Sequence, residues 1–193
     1  MKLSTREQKG QSIIEFISDY TVIDIETTGL SPFWDSIIEL AAIKVRNNTP
    51  VLTYQTLVRC PLPLDPFISD LTGITDEMLC DAPALCDVIG QFQDFVGSDI
   101  IVGQNVGFDI NFIYDACVRY CGVPFSNNYI NILRYSNKLL PQNVRKGLSS
   151  VCSFLEIPSD GAHRALRDCE LAHQVYQRYC SMIDDRDAFI ASF

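Results

Sequence analysis

The segment from Val22 to Leu30 constrains the fold most strongly, because an apolar run of strand character ends there in acids, hydroxyls and a glycine. Residues two apart in a strand point to the same face, so Asp24 and Glu26 are predicted to lie side by side. Two carboxylates this close at the end of a buried run resist joint ionisation. A divalent cation would relieve that cost, since hard cations prefer carboxylate oxygens. A strand that runs into a solvated acidic turn is the alternative interpretation.

The charge of the chain limits its partners. Its 193 residues are enough for one domain with a well-filled core. The formal net charge of −9 argues against a protein that binds long duplex nucleic acid through a broad basic face. A small metal-lined cleft for a strand end remains compatible with this charge, because bound cations invert the local field.

The eight cysteines form no Cys-x-x-Cys pair, and a disulfide framework is not expected without export. A four-ligand zinc site built from Cys117, Cys121, Cys169 and His173 is an alternative. It is disfavoured because zinc sites usually place two ligands in a tight turn. No apolar run approaches the roughly 20 residues that cross a bilayer, and residues 1–11 lack the apolar segment of a signal peptide. We therefore expect a cytoplasmic protein without a membrane partner.

Strand patterns precede and then alternate with helical patterns. A polar turn at residues 46–50 separates two strand-like segments, which predicts an antiparallel hairpin. A hairpin followed by alternating strands and helices implies one α/β domain with a mixed sheet flanked by helices. The five predicted strands are residues 20–25, 37–45, 51–58, 100–102 and 129–132.

Helices are predicted from apolar periodicity and from capping and breaking residues. They are residues 75–79, 83–95, 107–121, 133–140, 148–155 and 162–182. Residues 12–18 are predicted to form a short helical turn, and residues 61–66 an irregular, proline-rich connection. We interpret residues 1–11 as a polar lead, 12–182 as the folded domain and 183–193 as a charged tail. The two ends either dock onto partners or lie free.

Two later segments also bring acids to the junction of a strand and a helix. Asp109 falls in the first turn of the helix after the fourth strand, where the helix dipole alone would favour a carboxylate. Asp168 lies in the last helix, five residues after His163, and that spacing does not place both on one helical face. They approach one centre only if His163 lies on the loop that enters the helix. His163 is then a candidate general base, because histidine titrates near neutral pH.

Three ordered motifs resemble those of the DnaQ-like (DEDDh) 3′–5′ exonucleases, which include the proofreading epsilon-type domain of bacterial DNA polymerase III. They are Asp24-Ile25-Glu26-Thr27-Thr28-Gly29-Leu30, Asn105-x-x-Phe108-Asp109 and His163-x-x-x-x-Asp168. Residues 37–45 and 71–79 are also similar to this family, and the resemblance covers about residues 20 to 180. One departure is Gln104, where many relatives have histidine, and it predicts tuned rather than lost activity.

The resemblance implies a ribonuclease H-like fold and two Mg²⁺ or Mn²⁺ ions. Asp24, Glu26 and Asp168 would hold the ion that carries the attacking water. Asp24, with Asp109 through a water, would hold the second. His163 would accept the proton of that water. The residues implied to contact the terminal nucleotide are Thr27, Gly29, Leu30, Asn105 and Phe108. For Phe108, packing in the core is the alternative.

The resemblance makes residues 12–182 an exonuclease domain that would hydrolyse phosphodiester bonds at the 3′ ends of single-stranded nucleic acid. DNA is more expected than RNA, in proofreading or in repair and trimming, and a DNA polymerase subunit is one candidate partner. The alternatives are an enzyme that trims RNA or hydrolyses oligoribonucleotides, and an inert nucleic-acid-binding module. All five motif residues are present, which disfavours the inert module. The basic residues that are candidates for guiding strand phosphates are Arg134, Lys138, Arg145, Lys146, Arg164 and Arg167.

Overall fold

The computed structural model describes residues 5–193 and contains one mixed sheet. Its strands are β1 Ser12–Ile13, β2 Tyr20–Thr27, β3 Ile37–Arg46, β4 Thr49–Leu57, β5 Ile101–Gly103 and β6 Tyr129–Asn131. The sheet order is β1-β6-β5-β2-β3-β4. Strands β2, β3 and β4 pair antiparallel, whereas β1, β6, β5 and β2 pair parallel. The predicted mixed α/β architecture with an antiparallel hairpin is confirmed.

The sheet has six strands where the sequence predicted five, because Ser12–Ile13 is an edge strand and not the start of a helical turn. The apolar residues between Ile13 and Ile17 have helix-like spacing, but the edge of β6 offers unpaired backbone groups. The Tyr129 N–H donates to the carbonyl oxygen of Gln11 at 2.9 Å, which extends this parallel pairing. Pairing with a distant strand therefore overrides the local pattern.

The helices of the described range include two that the sequence analysis did not predict. The helices are α1 Pro66–Thr72, α2 Asp76–Cys80, α3 Leu85–Val96, α4 Gly107–Tyr120, α5 Ile132–Leu139, α6 Leu148–Phe154, α7 Ala165–Met182 and α8 Arg186–Ala191. In α1, Asp65 caps the N-terminus, Pro66 occupies the first turn and Gly73 ends the helix with a φ of 69°, which are ordinary helix signals. Within residues 5–193, none of these helices is long and apolar enough to cross a membrane.

Successive residues of β2 point to opposite faces of the sheet. Val22 belongs to the buried cluster that includes Leu171 of α7. Ile23 belongs to the cluster on the other face, which includes Ile113 of α4. The same alternation directs Asp24, two residues after Val22, to the face that α7 covers. The two hydrophobic clusters therefore set the direction in which the acids of β2 point.

Both ends of the described chain contact the domain. Arg6 donates two hydrogen bonds to the carboxylate of Asp115 on α4, at 2.9 and 2.6 Å. At the other end, the Phe189 ring of α8 lies 5.7 Å from that of Tyr135, centre to centre. Residues 1–4 of the predicted lead lie outside the described residues. The division into lead, domain and tail stays a prediction.

Gly103 should be intolerant of a side chain, because a Cβ placed there would lie 2.8 Å from Val106 Cγ2 and 3.0 Å from the carbonyl oxygen of Ile23. Gly103→Ala is expected to lower the free energy of unfolding by about 1–3 kcal/mol, measured by urea denaturation. Gly90→Ala is the control, since its Cβ would make only a 3.6 Å contact with Cys121 Sγ. This alanine, inside α3, should leave stability unchanged or raise it by up to about 1 kcal/mol. Equal stability of both variants would contradict the prediction.

Candidate active site

Three acids that are distant in the sequence converge at the end of β2. Asp24 and Glu26 of β2 and Asp168 of α7 each have a carboxylate oxygen within 4.8 Å of the others. Helix α7 lies close to the strands, because the Cys169 thiol contacts the carbonyl oxygen of Ala41 at 3.6 Å. Asp168 precedes Cys169 in the first turn of α7 and is therefore held beside the acids of β2.

Asp109 joins this region through the backbone of β2. It is buried in the first turn of α4, and its Oδ1 accepts a hydrogen bond from the Ile25 N–H at 3.1 Å. Ile25 lies between Asp24 and Glu26 in the strand. Asp109 is outside the group within 4.8 Å, but its carboxylate lies against the same segment of backbone. The four acids of the three motifs thus occupy one end of the sheet.

The environment favours the protonated forms of these acids. Burial raises the pKa of Asp24 well above its ordinary value, and the charges of Asp109, Asp168 and Glu26 raise it further. Burial, followed by the charge of Asp168, raises the pKa of Glu26 to about 8. Burial raises the pKa of Asp109 to about 7 and also raises that of Asp168. Ionisation of these carboxyl groups therefore costs free energy, because it places several negative charges close together in a partly buried site.

The donor set fits a divalent metal ion. It consists of carboxylate oxygens, which hard cations such as Mg²⁺ and Mn²⁺ prefer. Within residues 5–193, Asp24, Glu26 and Asp168 are the only group of three or more acidic, histidine or cysteine side chains close enough to share an ion. A cation would offset the repulsion that raises their pKa values.

His163 lies on the loop that enters α7, because this helix begins at Ala165 and not at the predicted residue 162. Its φ of 67° is unusual for a residue other than glycine. The His163 N–H donates to Asp168 Oδ1 at 3.3 Å, and the residue is exposed. The backbone of His163 is therefore fixed to the acidic group while its side chain reaches solvent.

The loop after β2 is braced by internal hydrogen bonds. Thr27 Oγ1 donates to the Gly29 carbonyl oxygen at 2.7 Å, and the Ser31 N–H donates to Asp35 Oδ2 at 2.8 Å. A Cβ on Gly29 would lie 2.6 Å from the Asp35 carboxylate, so only glycine fits there without a shift. The loop presents the Leu30 side chain, which is 85% exposed. An apolar side chain is thus held in solvent close to the acids.

The turn before α4 places two further residues of the second motif. Asn105 is exposed, with a φ of 52°, and its carbonyl oxygen accepts the Phe108 N–H at 3.0 Å. The partly buried Phe108 ring lies 5.0 Å from that of Phe112, centre to centre. Phe108 therefore packs against the core and keeps part of its surface accessible. The side-chain amide of Gln104 donates to the Lys146 carbonyl oxygen, which ties this turn to the segment before α6.

Sequence reasoning assigned no role to Glu39, which lies beside the site. It is completely buried in β3, directly opposite Glu26. Its carboxylate accepts hydrogen bonds from the Arg164 side chain at 2.8 and 3.1 Å and from the Ala165 N–H at 3.0 Å. The sequence signal is a glutamate inside the apolar run of residues 37–43, because glutamate is almost never fully buried without a partner.

Several basic side chains that were candidates for phosphate contact bind the protein itself. Arg164 pairs with Glu39. Arg167 donates to the carbonyl oxygens of Asp160 at 3.0 Å and Pro158 at 2.9 Å. These two arginines therefore hold the loop and the start of α7.

A family model described as Exonuclease matches residues 21–176. The DNA polymerase III PolC-type of Bacillus subtilis (strain 168) is 39% identical over 152 residues, which are 78% of this chain and 11% of that protein. This chain thus spans about a tenth of the length of that relative.

Solved structures share the fold at low identity. A zinc-bound complex of E. coli ExoI with single-stranded DNA has a TM-score of 0.77 and 18% identity, covering 90% of this chain and 43% of that one. A 3′-exonuclease solved for the 3′-end specific recognition of a histone mRNA stem-loop has a TM-score of 0.70 and 20% identity, covering 87% of this chain and 84% of that one. These likenesses confirm the ribonuclease H-like fold.

The family match extends over most of the chain and includes the segments that carry all three motifs. The relative of 39% identity is aligned over 78% of the chain. The chain therefore belongs to the exonuclease family, as the resemblance of its motifs to the DnaQ-like enzymes predicted.

Proposed function

We propose that this domain is a metal-dependent 3′–5′ exonuclease that removes nucleotides from the end of single-stranded DNA. The observation that carries the proposal is the convergence of Asp24, Glu26 and Asp168 within 4.8 Å, in a chain of the exonuclease family. Crowded carboxylates with raised pKa values suit a cation-binding centre better than a solvated turn. Exposed His163 and Leu30 on the flanking loops give that centre a base and a contact for the substrate.

The four acids would hold two Mg²⁺ or Mn²⁺ ions, with Asp24, Glu26 and Asp168 on one and Asp24 with Asp109 on the other. When bound, such ions supply a more acidic water and stabilise the charge of the departing 3′-oxygen. Asp109 is buried and hydrogen-bonded to β2, so it would contribute from a fixed position. The acids would lose their protons as the cations bind, since their pKa values are raised without metal.

His163 would accept the proton of the attacking water. The hydrogen bond from its N–H to Asp168 fixes its backbone next to the acidic group. Its exposure lets the imidazole reach a substrate phosphate and return the proton to solvent. A base held in place in this way typically contributes 10²–10⁴-fold to the rate.

The terminal nucleotide would lie between the two loops that flank the acids. Leu30 would wedge against a base, while Gly29 lets the backbone approach and Thr27 supports the loop. Phe108 would pack on the terminal sugar or base, since aromatic stacking is worth roughly 1–3 kcal/mol per base. Asn105 would contact the nucleotide from the exposed turn before α4.

The PolC-type relative supports DNA as the substrate and a DNA polymerase as the partner, because its name describes a DNA polymerase III. Trimming of RNA is the second candidate. It is favoured by the structural likeness to the 3′-exonuclease that recognises an mRNA stem-loop.

The function is tested with 5′-labelled single strands of DNA and RNA of one sequence. With Mg²⁺, the DNA is expected to shorten from its 3′ end one nucleotide at a time, faster than the RNA, and EDTA should abolish the reaction. Gel electrophoresis of the products measures both rates. Faster hydrolysis of RNA would assign the domain to RNA trimming, and binding without hydrolysis would identify an inert module.

His163→Ala is expected to lower turnover by roughly 10²–10⁴-fold, because a general base is lost. The Mg²⁺ concentration that gives half-maximal activity should change little, since the carboxylates remain. His173→Ala is the matched control, because His173 is the only other histidine. It lies on α7, and its Nδ1 shares a hydrogen bond with the Tyr20 hydroxyl of β2. Its turnover should stay within about twofold of wild type. Full turnover of His163→Ala would remove this residue from the mechanism.

The stability of the metal-free protein should fall as pH rises from about 5 to about 8. The pKa values of Glu26 (about 8) and Asp109 (about 7) lie above those of the unfolded chain. The folded state therefore binds more protons in this window, and stability is lost as pH rises through the folded pKa values. Stabilisation by Mg²⁺ should accordingly grow with pH.

Thermal denaturation in EDTA and in Mg²⁺ at several pH values across this window measures both effects. Glu26→Gln is the control, because it removes one titrating group and should flatten the pH dependence in EDTA. If the stabilisation by Mg²⁺ does not change with pH, metal binding is not coupled to the loss of protons from these acids.

A further inference from the structure

We propose that Glu39 is a positioning residue for the exonuclease reaction. Its buried carboxylate fixes the backbone that carries His163 against the strand that carries Asp24 and Glu26. The inference rests on the proposed function, because it takes His163 as the base.

Glu39 lies where the two halves of the site meet. It is paired with Glu26 across β2 and β3, and opposite residues of antiparallel strands share a face of the sheet. That face is the one covered by α7. Glu39 has 0% exposure, so its charge cannot be solvated and must be met by protein groups.

The groups that meet this charge come mainly from the start of α7. Glu39 Oε1 accepts from Arg164 Nη2 at 2.8 Å, and Oε2 accepts from Arg164 Nε at 3.1 Å and from the Ala165 N–H at 3.0 Å. Helix α7 has 18 residues and no side-chain hydrogen bond from its own N-cap residue. Glu39 therefore supplies, from β3, an acceptor that a capping residue would otherwise provide.

Arg164 transmits this anchoring to His163. It directly follows His163, and its carbonyl oxygen accepts the Asp168 N–H at 2.9 Å. The two hydrogen bonds between the Arg164 guanidinium and the Glu39 carboxylate restrict the relative orientation of these groups as well as their separation. His163 is exposed, and its backbone is held at a φ of 67°. The backbone from which the imidazole projects is therefore fixed by Glu39 and Arg164.

Glu39 is unsuited to be a metal ligand itself. Gln55 Nε2 donates to Oε1 at 2.8 Å, which brings the donors around this carboxylate to four. Both oxygens are thus engaged by N–H groups. Glu39 is also outside the group of Asp24, Glu26 and Asp168 that lies within 4.8 Å. Its effect on the reaction is exerted through Arg164.

A double-mutant cycle separates positioning from a general structural role. Glu39→Gln keeps the shape and an acceptor but removes the charge that holds Arg164. It is expected to lower kcat about 10- to 100-fold, as for a base displaced by about 1 Å. The KM for a single-stranded DNA oligomer and the half-saturating Mg²⁺ concentration should stay within about threefold. In the His163→Ala background, the same substitution should lower kcat less than about twofold, because the base is already absent.

The control is Gln55→Ala, which removes the donor from β4 and leaves the contacts to α7. Its kcat should stay within about twofold of wild type. Arg164→Lys is the second variant, because it keeps the charge and loses the fork of donors. Its loss of kcat should likewise be seen only when His163 is present. The proposal therefore stays testable if Glu39→Gln does not fold.

The outcomes distinguish the two proposals. An equal fold loss of kcat with and without His163 would overturn the positioning role and leave the exonuclease assignment intact. Full turnover of His163→Ala would overturn the base assignment and, with it, the role of Glu39. A loss confined to enzymes that retain His163 is the result expected.

Discussion

The site depends on carboxylates held closer together than their charges favour. Burial and, after it, mutual repulsion raise the pKa values of Asp24, Glu26 and Asp109, so the rest of the fold must oppose their separation. Nonpolar packing holds the elements that carry them together, since α7 buries one face of β2 and α4 covers the other. The Ile25 N–H adds a direct tie to Asp109 at 3.1 Å. The hydrophobic core thus stores an electrostatic strain that a bound cation would release.

Glu26 and Glu39 lie opposite each other on one face of the sheet, but their pKa values shift in opposite directions because their hydrogen-bond donors differ. Burial would raise the pKa of Glu39, but hydrogen bonds from Arg164, Gln55 and Ala165 lower it below the ordinary value. Burial and the charge of Asp168 raise the pKa of Glu26 to about 8. Glu39 is therefore satisfied within the protein and serves to join β3 to α7. Glu26 retains an unmet demand for positive charge, which is the property that a metal ligand needs.

Local patterns were sufficient to predict much of this fold. The period of two in β2 placed Asp24 and Glu26 on one face, and Asn47 and Asn48, both with positive φ, form the predicted hairpin turn. The edge strand at Ser12–Ile13 could not be found in this way, because it exists only through pairing with β6. The role of Glu39 was hidden for the same reason, since its partner Arg164 is 125 residues away. Helix α1 is different, because its capping signals at Asp65, Pro66 and Gly73 are local and suffice to predict it.

An acidic domain that acts on nucleic acid must gain affinity from a few places. The formal net charge is −9, and Arg164 and Arg167 are engaged by the protein. Both facts argue against binding by the neutralisation of many phosphates. The acids proposed to bind cations lie at the end of β2, and the apolar side chains of Leu30 and Phe108 follow the ends of β2 and β5. Such a short contact surface favours the end of a nucleic-acid strand over its interior. Two loops can enclose an end, whereas an interior segment would have to pass between them.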